Sequence, residues 1–325
     1  MTSMLVIIVN YRTASLTIDC LHSLADEAAQ LPGLRAMVID NDSGDGSAER
    51  IGEAVAERGW TWASVVASPD NLGFGAGNNL ALRLALAGDA PPDLFWLLNP
   101  DTRVEPGAAA ALLRFAQDHP HAGIIGTRLL EEDGSPWPYA FRFPTILSEV
   151  ERGVQLGLVS RLLRNHVVAR RMGAEPAPVD WVSGASCVVR RELVEAIGLF
   201  DEGFFLYYEE TDFMLRARQA GWQSWYAPQA SVLHLAGQST KVTGSAAVAR
   251  RVPGYWFESR QRYFRKHHGF GYTLLADLGW ALSYLIWRAS RLLRRSPAKE
   301  PPHLFLDFLR HSALGRWPGR EVRSA

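Results

Sequence analysis

The chain has 325 residues, of which 47% are hydrophobic and 21% charged, and its 34 basic side chains balance its 34 acidic ones. This is the composition of an ordinary globular protein, long enough for one large core and an appendage. The two cysteines, Cys20 and Cys187, lie far apart without a metal-type spacing. They argue against a disulfide framework or a zinc site and fit a reducing compartment.

The charge is unevenly distributed along the chain. Residues 1–240 contain 18 Lys and Arg against 29 Asp and Glu, a net charge of −11, whereas residues 241–325 contain 16 against 5, a net charge of +11. This asymmetry predicts a basic tail that meets an anionic partner, either a membrane surface or a nucleic acid. The alternative is a basic tail that docks on the acidic body of the same chain.

The first forty residues predict a βαβ unit. The apolar run 4–9 lacks a basic leader and a cleavage site, so it is expected to be a core strand and not a signal peptide. A helical periodicity over 15–24 and a second apolar strand at 36–39 follow, which together predict a parallel sheet. Polar residues follow both strands at the same edge of that sheet: Asn10, Tyr11, Asp40 and Asn41. A nucleotide could lie across this edge.

Apolar patterning predicts further elements along the chain. Helices are expected at 47–58, 107–117 and 192–197. Two more are expected to begin within 71–79 and end at 86, and to begin near 209 and end at 220. Strands are expected at 62–67, 95–98, 123–130, 180–190 with a break at Gly184-Ala185, and 230–234 after a turn at 225–228.

Three glycines, Gly73, Gly75 and Gly77, open the helix that follows Asn71. They would let the backbone approach a ligand, and the free N–H groups of the helix N-terminus could meet a diphosphate. The spacing is not the dinucleotide-binding fingerprint, because the third glycine comes one residue early. A loop that only packs the helix is an equal alternative.

The apolar run 95–98 stops abruptly at Asn99-Pro100-Asp101. It reads as a strand buried on both faces that ends in a turn. Ligands of open α/β sheets lie beyond the carboxyl ends of the strands, so Asp101 falls where a metal or a phosphate would be bound. The alternative is that Asp101 only caps the helix that begins near Pro106.

Three carboxylates, Glu209, Glu210 and Asp212, occupy the first turn of a predicted helix. The helix dipole alone favours acidic residues there, by about 0.3–1 kcal/mol each. The dipole does not account for the aromatic side chains just before them, which would wall a water-poor cleft: Phe200, Phe204, Phe205, Tyr207 and Tyr208. His234 ends the last predicted strand, and a single histidine in such a place is more often structural than a ligand.

In combination, these motifs resemble the family 2 inverting glycosyltransferases with the GT-A fold, most closely their rhamnosyltransferase-like branch. The resemblance covers about residues 4–240. It is carried by Val9-Asn10-Tyr11, Asp40-Asn41 with Ser43-Gly44-Asp45-Gly46-Ser47, Asn71-Leu72-Gly73-Phe74 with Asn78-Asn79, Leu98-Asn99-Pro100-Asp101, Gly184-Ala185, Phe200-Asp201-Glu202 with Phe204-Phe205, Tyr208-Glu209-Glu210 with Asp212, and His234.

The resemblance implies an α/β fold with a mixed, mainly parallel sheet, flanking helices and a C-terminal helical extension. The expected domains are 1–240, a GT-A domain in which 131–180 is an insertion or acceptor region, and 241–325, a basic, aromatic helical region. The expected donor is a nucleotide-diphospho-sugar.

Transfer from such a donor requires that the leaving diphosphate be neutralised, commonly by a divalent cation. Asp101 matches the metal-binding carboxylate of the family's Asp-x-Asp motif, whose first position is here Asn99, one negative ligand fewer. His234 matches a histidine that completes the metal site in some relatives. An oxygen-rich site with one imidazole suits Mn²⁺ or Mg²⁺.

The resemblance also assigns catalytic and donor-binding residues. Glu210 aligns with the catalytic Asp of the family's Glu-Asp motif and would take the proton of the acceptor hydroxyl. Glu209 and Asp212 share a helical face and would hold the acceptor or brace Glu210. Asp40 would read the base and Tyr11 would stack on it. The remaining expected donor-binding residues are Asn10, Asn41, Asn71, Gly73, Asn79, Asp101 and Gly184.

The implied reaction is the transfer of rhamnose from dTDP-rhamnose, or of a sugar from a UDP-sugar, to a saccharide or lipid-linked acceptor in cell-surface polysaccharide synthesis. A hexosyltransferase of this kind is expected in the cytoplasm at the inner face of the cell membrane. The alternative from another class is a nucleotide-sugar-binding module without catalysis, which would not need Glu210. The failed glycine spacing disfavours a dehydrogenase.

The tail holds a long apolar stretch, 269–287, with Asp277 as its one charge and a cluster of arginines after it. Its length is just enough for a membrane span, but a central Asp is costly in a bilayer. A helix in the membrane interface, with arginines on anionic head groups, fits better. Packing against the body and a true span are the alternatives, and no nucleic-acid partner is expected because the tail carries no such motif.

Overall fold

The computed structural model describes residues 2–137, 139–235, 251–295 and 300–313. The chain forms two compact units, Met1–Phe143 with Ala169–Ser245 and Pro144–Val168 with Ala246–Ala325. We call them the sheet unit and the helical unit. Residues 131–180 were predicted to be one insertion within the first domain, but residues 144–168 join the helical unit, because their helix packs on the C-terminal helix.

A nine-stranded sheet forms the centre of the sheet unit. Its strands are β1 (Met4–Asn10), β2 (Leu34–Asp40), β3 (Ala63–Ala67), β4 (Leu94–Leu98), β5 (Thr102–Val104), β6 (Ala122–Leu130), β8 (Ala177–Val179), β10 (Ser186–Arg190) and β11 (Gln223–His234). The pair β7 (Ala140–Phe141) and β9 (Trp181–Val182) forms a separate two-stranded sheet. The helices of this unit are α1 (Ala14–Gln30), α2 (Ser47–Glu57), α3 (Phe74–Leu86), α4 (Ala108–Asp118), α7 (Arg191–Ile197) and α8 (Glu209–Gln219).

The strand order is β3-β2-β1-β4-β10-β6-β11-β5, with β8 beside β11. Strands β3, β2, β1 and β4 pair in parallel, β10 runs against both β4 and β6, and β11 is parallel to β6. The carboxyl ends of β1, β2, β4 and β11 therefore lie at one edge of the sheet. The mixed, mainly parallel sheet with flanking helices is the predicted architecture.

Continuous apolar runs form the central strands. All seven residues of β1 and all five of β4 are buried, as expected for strands covered by helices on both faces. The register pairs Asn10 with Asp40 and Ile8 with Leu98. The polar residues that follow these strands are therefore neighbours across the sheet.

The predicted strand 180–190 divides into β9 and β10 at the predicted Gly184-Ala185 break. Strands β5, β7 and β8 were not predicted. The predicted turn at 225–228 lies inside one twelve-residue strand, β11. Its register on β6 shifts between Ala227 and Ser231, where Pro228 cannot donate a ladder hydrogen bond.

The helical unit contains α5 (Ile146–Val154), α6 (Gly157–Leu162), a 3₁₀ turn (Arg164–His166), α9 (Gly254–Leu293) and α10 (Leu304–His311). Helix α9 is interrupted at Gly269, which has φ 75° and ψ 177°. The helical unit has a hydrophobic core of its own, which consists of Phe257, Trp280, Ala281, Tyr284, Trp287 and Phe308. None of the helices described is both long and apolar enough to cross a bilayer.

Asp277, expected to be costly in a membrane, is fully buried within the helical unit. Its carboxylate accepts bonds from Arg260 Nη1 and from Gln261 Nε2, both at 2.6 Å, and from the Ala313 N–H at 2.7 Å. The buried Arg260 also donates to Glu149 on α5, at 3.0 Å. This charge cluster ties α5 to both halves of α9.

Candidate active site

Asp40 lies at the end of β2 in a dense network of hydrogen bonds. Its Oδ2 accepts bonds from Asn10 Nδ2 at 2.6 Å and from the Ser43 hydroxyl at 2.7 Å, and its Oδ1 accepts one from the Ser43 N–H at 3.1 Å. The amide oxygen of Asn10 in turn accepts bonds from the Thr13 and Thr17 hydroxyls. The fully buried Asn10 thus fixes Asp40, whose Oδ1 has acceptor capacity for a base N–H.

Tyr11 and Arg12 follow β1 at the surface. The Tyr11 side chain is 40% exposed, and the guanidinium carbon of Arg12 lies 5.0 Å from its ring centroid. Arg12, at φ 55°, is held by Ser43, which accepts bonds at 2.9 Å from its N–H and from its Nε. An exposed ring beside a fixed cation suits a stacked, anionic nucleotide. Sequence reasoning missed Arg12, although its place directly after β1 was a usable signal.

Asn41 joins the end of β2 to the loop before α3. Its Nδ2 donates to Asn71 Oδ1 at 3.0 Å and to the Gly73 carbonyl at 3.1 Å, and the same Asn71 oxygen accepts a bond from the Gly73 N–H. Asn71 and Gly73 therefore lie beside Asp40, at the edge predicted for the donor.

Asn79 has protein partners on both sides of its amide. Its Nδ2 donates to the Phe200 carbonyl at 2.9 Å and to Glu202 Oε1 at 2.8 Å, and its Oδ1 accepts the Phe200 N–H at 2.9 Å. Through these contacts Asn79 holds the loop that leads to α8. Asn79 was predicted to contact the nucleotide directly, but its amide is used for contacts within the protein.

The glycines at the start of α3 are in close contact with other protein atoms, as expected if this loop only packs the helix. A Cβ at Gly73, where φ is +91°, would overlap the Phe205 carbonyl oxygen. A Cβ at Gly77 would lie 2.8 Å from Val9 Cγ1, and one at Gly75 would lie 3.3 Å from Phe200 Cβ. The three glycines let α3 pack closely on β1 and on the loop before α8.

The turn that carries Asp101 is fastened on both sides. The Asn99 N–H donates to the Ala185 carbonyl at 2.9 Å, and the Thr102 hydroxyl donates to the Asn99 carbonyl at 2.7 Å. The Cys20 thiol lies 3.5 Å from the Thr102 hydroxyl, and burial raises the pKa of this thiol to about 12. Cys20 is therefore a packing residue beneath the turn and not a thiolate nucleophile.

Asp101 does not cap α4. The N-cap of that helix is Gly107, and the carboxylate that accepts its free N–H groups belongs to Glu27, from Gly107 at 2.5 Å and from Ala109 at 2.9 Å. The structural alternative for Asp101 is thereby removed, since another residue has that role.

His234 ends β11 beside Asp101, and both side chains are buried. The His234 Nε2 lies 3.5 Å from Asp101 Oδ1, which is long for a hydrogen bond. One ion that bound both atoms at about 2.1 Å would need them about 3 Å apart. The two atoms are about 0.5 Å farther apart than that, so a small side-chain shift would let them act as two ligands of one divalent cation.

The described residues contain no cluster of three or more His, Cys, Asp or Glu side chains that could hold a metal. A cation at Asp101 and His234 would then take its other ligands from phosphate oxygens and water, as Mg²⁺ commonly does at phosphate sites. Among those residues the Nδ1 of His234 has no hydrogen-bond partner, but Trp137 packs edge-on to the ring at 5.7 Å. Trp137 is a second neighbour of the site that the sequence analysis did not single out.

Glu210 begins α8 beside the β9–β10 break. A Cβ at Gly184 would lie 3.9 Å from Glu210 Cβ and 3.3 Å from the Phe74 ring, so Gly184 gives Glu210 its space. Burial, and next the negative charge of Glu210, raise the pKa of the Cys187 thiol to about 12. Glu210 is therefore near the strand that pairs with β4, next to the turn of Asp101.

Glu209 and Glu210 form a carboxyl pair at the N-terminus of α8. Burial, and next the charge of Glu210, raise the pKa of Glu209 well above its usual range. Burial raises the pKa of Glu210 to about 7, while hydrogen bonds from its own backbone N–H and from Glu209 oppose that rise. The deeply buried Glu209 is therefore the protonated partner and donates a hydrogen bond to Glu210. The Oε2 atoms of both side chains are buried, and neither has a hydrogen-bond partner among the described residues.

Asp212 turns toward the protein interior. Its Oδ2 accepts a bond from Arg216 Nε at 3.0 Å, and Arg216 also donates to the carbonyls of Ile197 and Leu199. This pair anchors α8 to the segment before Phe200.

The aromatic cluster before α8 divides into two groups. Phe200 and Phe204 are buried, and Phe200 stacks on Phe213 with ring centroids 4.5 Å apart. Phe205, Tyr207 and Tyr208 are partly exposed. Only these last three are available to wall a cleft, fewer than the five expected.

Asp40, Asp101, Glu210 and His234 all lie at or next to the same edge of the sheet, as predicted for a GT-A architecture. Solved structures confirm the fold. The Pyrobaculum calidifontis mannosyltransferase PcManGT, in complex with GDP-Man and Mn²⁺, matches 90% of this chain and 74% of its own with a TM-score of 0.56 at 15% identity. GalNAc-T7 with UDP, GalNAc and Mn²⁺ matches 91% of this chain and 58% of its own with a TM-score of 0.53 at 16% identity.

Residues 2–266 match the family described as glycosyltransferase like family 2, and the chain belongs to that family. It is 32% identical over 272 residues to the N-acetylglucosaminyl-diphospho-decaprenol L-rhamnosyltransferase of Mycobacterium tuberculosis, a match of 79% of this chain and 81% of that protein. It is 25% identical over 166 residues to the rhamnosyltransferase WbbL of Escherichia coli K12, covering 50% of this chain and 61% of WbbL. The predicted family and enzyme class are confirmed.

Proposed function

We propose that this glycosyltransferase moves a sugar, with inversion, from a nucleotide diphosphate to a hydroxyl of a lipid-linked saccharide in cell-surface polysaccharide synthesis. Rhamnose from dTDP-rhamnose is the first choice of donor and a UDP-sugar the second. The observation that carries the proposal is the place of Glu210, a carboxylate beside the break between β9 and β10, at the sheet edge that also holds Asp101 and His234. Burial raises the pKa of this carboxylate to about 7, which suits a base. The mycobacterial relative, named as a rhamnosyltransferase of a diphospho-decaprenol acceptor, supports the choice of substrates.

Glu210 is the proposed general base. A pKa near the working pH leaves about half of these carboxylates ionised at pH 7, while the basicity is higher than that of an ordinary carboxylate. The Oε2 of Glu210 would accept the proton of the acceptor hydroxyl as its oxygen attacks the anomeric carbon. Protonated Glu209 supports the ionised form of Glu210 by its hydrogen bond.

At the donor end, Tyr11 would stack on the base, Asp40 Oδ1 would accept a base N–H, and Arg12 would face the negative charge of the nucleotide. Asp101 and His234 would hold a divalent cation, Mn²⁺ or Mg²⁺. When bound, such an ion supplies positive charge to the leaving diphosphate. Asn99 in place of a carboxylate leaves Asp101 as the one acidic ligand from this turn.

The acceptor of such a reaction is attached to a lipid, so we place the enzyme in the cytoplasm at the inner face of the cell membrane. The mycobacterial relative is named for an acceptor of this kind. Contact with the bilayer is assigned to the helical unit, whose exposed surface is described below.

Two substitutions test the proposal together. Glu210→Gln should lower transfer by at least about a hundredfold, because general-base catalysis contributes roughly that much, and donor affinity should stay unchanged. Asp101→Ala should weaken nucleotide binding in the presence of Mn²⁺ and remove its Mn²⁺ dependence. Calorimetry with dTDP and UDP, with and without Mn²⁺, measures binding, and product formation from dTDP-rhamnose measures transfer.

A non-catalytic nucleotide-sugar-binding module gives a different result in the same experiment. It would bind donor with Mn²⁺ but neither transfer nor hydrolyse it, and Glu210→Gln would change nothing. Comparable transfer by wild type and Glu210→Gln would remove Glu210 from the role of base, whichever donor is used.

A further inference from the structure

Exposed apolar side chains are concentrated in the helical unit. Of the sixteen large hydrophobic residues exposed in the described part of the chain, twelve belong to it. Eight of these lie on the second half of α9, and apart from Phe270 they share one face and are 36% to 87% exposed: Leu275, Leu278, Leu282, Leu285, Ile286, Leu292 and Leu293. We call this set the leucine stripe.

The spacing of the leucine stripe gives it one continuous face. At 3.6 residues per turn its members fall within about 120° of the helix circumference, and it extends for roughly 27 Å along α9. The opposite side of the same helix is occupied, because Trp280, Tyr284 and Trp287 are buried in the core of the helical unit. The stripe is therefore an apolar surface on a helix that is already held in place.

Basic residues flank the leucine stripe at both ends. Arg262, Arg265 and Lys266 precede the break at Gly269, and Arg288, Arg291, Arg294 and Arg295 lie at the far end. Between residues 270 and 295 the one acidic residue is Asp277, which is buried within the cluster described above. Glu300 pairs with Arg288, so the exposed Arg294 and Arg295 supply the positive charge at the far end.

We propose that the leucine stripe and its arginines form a docking surface for an anionic lipid bilayer, in which the second half of α9, after the break at Gly269, lies parallel to the membrane plane. Buried apolar area and attraction to anionic head groups are the two contributions that hold such interfacial helices. The proposal extends the proposed function, since it names the surface that brings the site to a lipid-linked acceptor.

The charges select a bilayer over a second copy of this chain. A parallel pair of α9 helices would place arginine clusters against each other, and an antiparallel pair would place Arg294 and Arg295 against the basic segment 262–268. Like charges in either arrangement oppose association. A surface rich in anionic lipid complements both ends of the stripe at once.

The same combination recurs on α6, in the same unit. Leu158 and Leu162 are 75% and 76% exposed, with Arg161 and Arg164 exposed beside them. Residues 156–166 contain no acidic side chain. A second leucine and arginine segment supports a lipid-binding role of the helical unit as a whole.

Sedimentation of the full chain with vesicles tests the docking surface. Wild type should bind equimolar phosphatidylcholine and phosphatidylglycerol vesicles and bind phosphatidylcholine alone much more weakly. Leu282→Glu with Ile286→Glu should lower the affinity by at least about tenfold, because two apolar side chains leave the bilayer and two negative charges approach it. Arg294→Gln with Arg295→Gln should lower it by roughly tenfold at low salt and less at high salt.

Leu84→Glu on α3 is the matched control, since Leu84 is a 44% exposed helical leucine of the sheet unit. This variant should bind vesicles as wild type does. Wild type that fails to bind the anionic vesicles would overturn the proposal, as would unchanged binding by Leu282→Glu with Ile286→Glu. The proposal would also be overturned if wild type were a dimer that does not bind vesicles and Leu282→Glu with Ile286→Glu converted it to a monomer.

Transfer to a short, water-soluble acceptor separates this proposal from the proposed function. If the stripe variants lose vesicle binding but still transfer to that acceptor, both stand. Vesicle binding without transfer from any nucleotide sugar retains the docking surface and refutes the proposed reaction. Transfer by a wild-type enzyme that does not bind vesicles retains the proposed reaction and refutes the docking surface.

Discussion

Two adjacent carboxyls at the start of α8 share one poorly hydrated position. Glu209 is buried, and Glu210 is partly exposed although its Oε2 is buried. Ionising Glu209 would place a second negative charge beside Glu210, so burial and that charge raise the pKa of Glu209 well above its usual range. Glu209 therefore acts on Glu210 as a neutral hydrogen-bond donor.

The pH dependence of transfer should report this arrangement. Glu210 must be ionised to act as a base, so activity should rise as the pH increases through about 7 and then level off. Glu209→Ala removes the donor and should move the profile to higher pH, because the carboxylate of Glu210 loses a stabilising bond. The pH profile of kcat/KM for wild type and variant measures the shift.

Glu209→Gln separates the donor role from a charge role. Its amide can still donate to Glu210, so the profile should stay close to that of wild type. If Glu209 instead acted as a second negative charge, the same substitution would move the profile to lower pH. A shift in that direction would contradict the proton assignment.

At the scale of elements, close approach between α3 and the loop before α8 shapes the edge that holds the site. Gly73 has a positive φ and no room for a Cβ, because the Phe205 backbone occupies that space. The Phe74 N–H donates to the Phe205 carbonyl at 3.1 Å. The donor loop at Asn71 and the loop that leads to Glu210 are therefore one packed structure.

Gly73→Ala should destabilise the sheet unit by more than backbone strain alone explains. Gly73 has φ 91° and ψ −175°, a backbone region that is essentially restricted to glycine, where another residue costs about 1–3 kcal/mol, and the overlap with Phe205 should add roughly 1–3 kcal/mol. Gly198→Ala is the matched control, because Gly198 has nearly the same backbone angles, φ 79° and ψ −172°, and nothing within 4 Å of its Cβ position. Urea unfolding of both variants measures the difference, and equal losses would show that the overlap relaxes without cost.

Much of this organisation could be predicted from the sequence, because a short, continuous apolar run such as 95–98 forms a buried central strand in an α/β fold. The positions of Asp40 and Asp101 followed from strand ends in the same way. Strand β5 could not be predicted, because Thr102–Val104 is a three-residue edge strand that forms only by pairing with β11. The contacts of Asn79 and the partition of 144–168 were equally hidden, since both depend on residues more than a hundred positions away.

At the scale of the whole molecule, each unit has a hydrophobic core of its own. Every residue assigned to the donor, the cation and the base lies in the sheet unit, whereas the leucine stripe lies in the helical unit. The charge follows a similar division, with −11 over residues 1–240 and +11 over residues 241–325. Chemistry and surface binding are thus assigned to different parts of one chain and should respond separately to substitution.

Asp277→Asn should weaken the helical unit without changing donor binding. It would leave the buried Arg260 without one of its two carboxylate partners, and breaking a buried ion pair costs roughly 3–5 kcal/mol. Amide hydrogen exchange should therefore accelerate in peptides of α5 and α9 and stay unchanged in those of β1 and β4, while calorimetry with dTDP and Mn²⁺ gives wild-type affinity. Glu258→Gln, which breaks a half-exposed pair with His311, is the control and should change exchange little. Equal acceleration in both units would contradict the separation of the two cores.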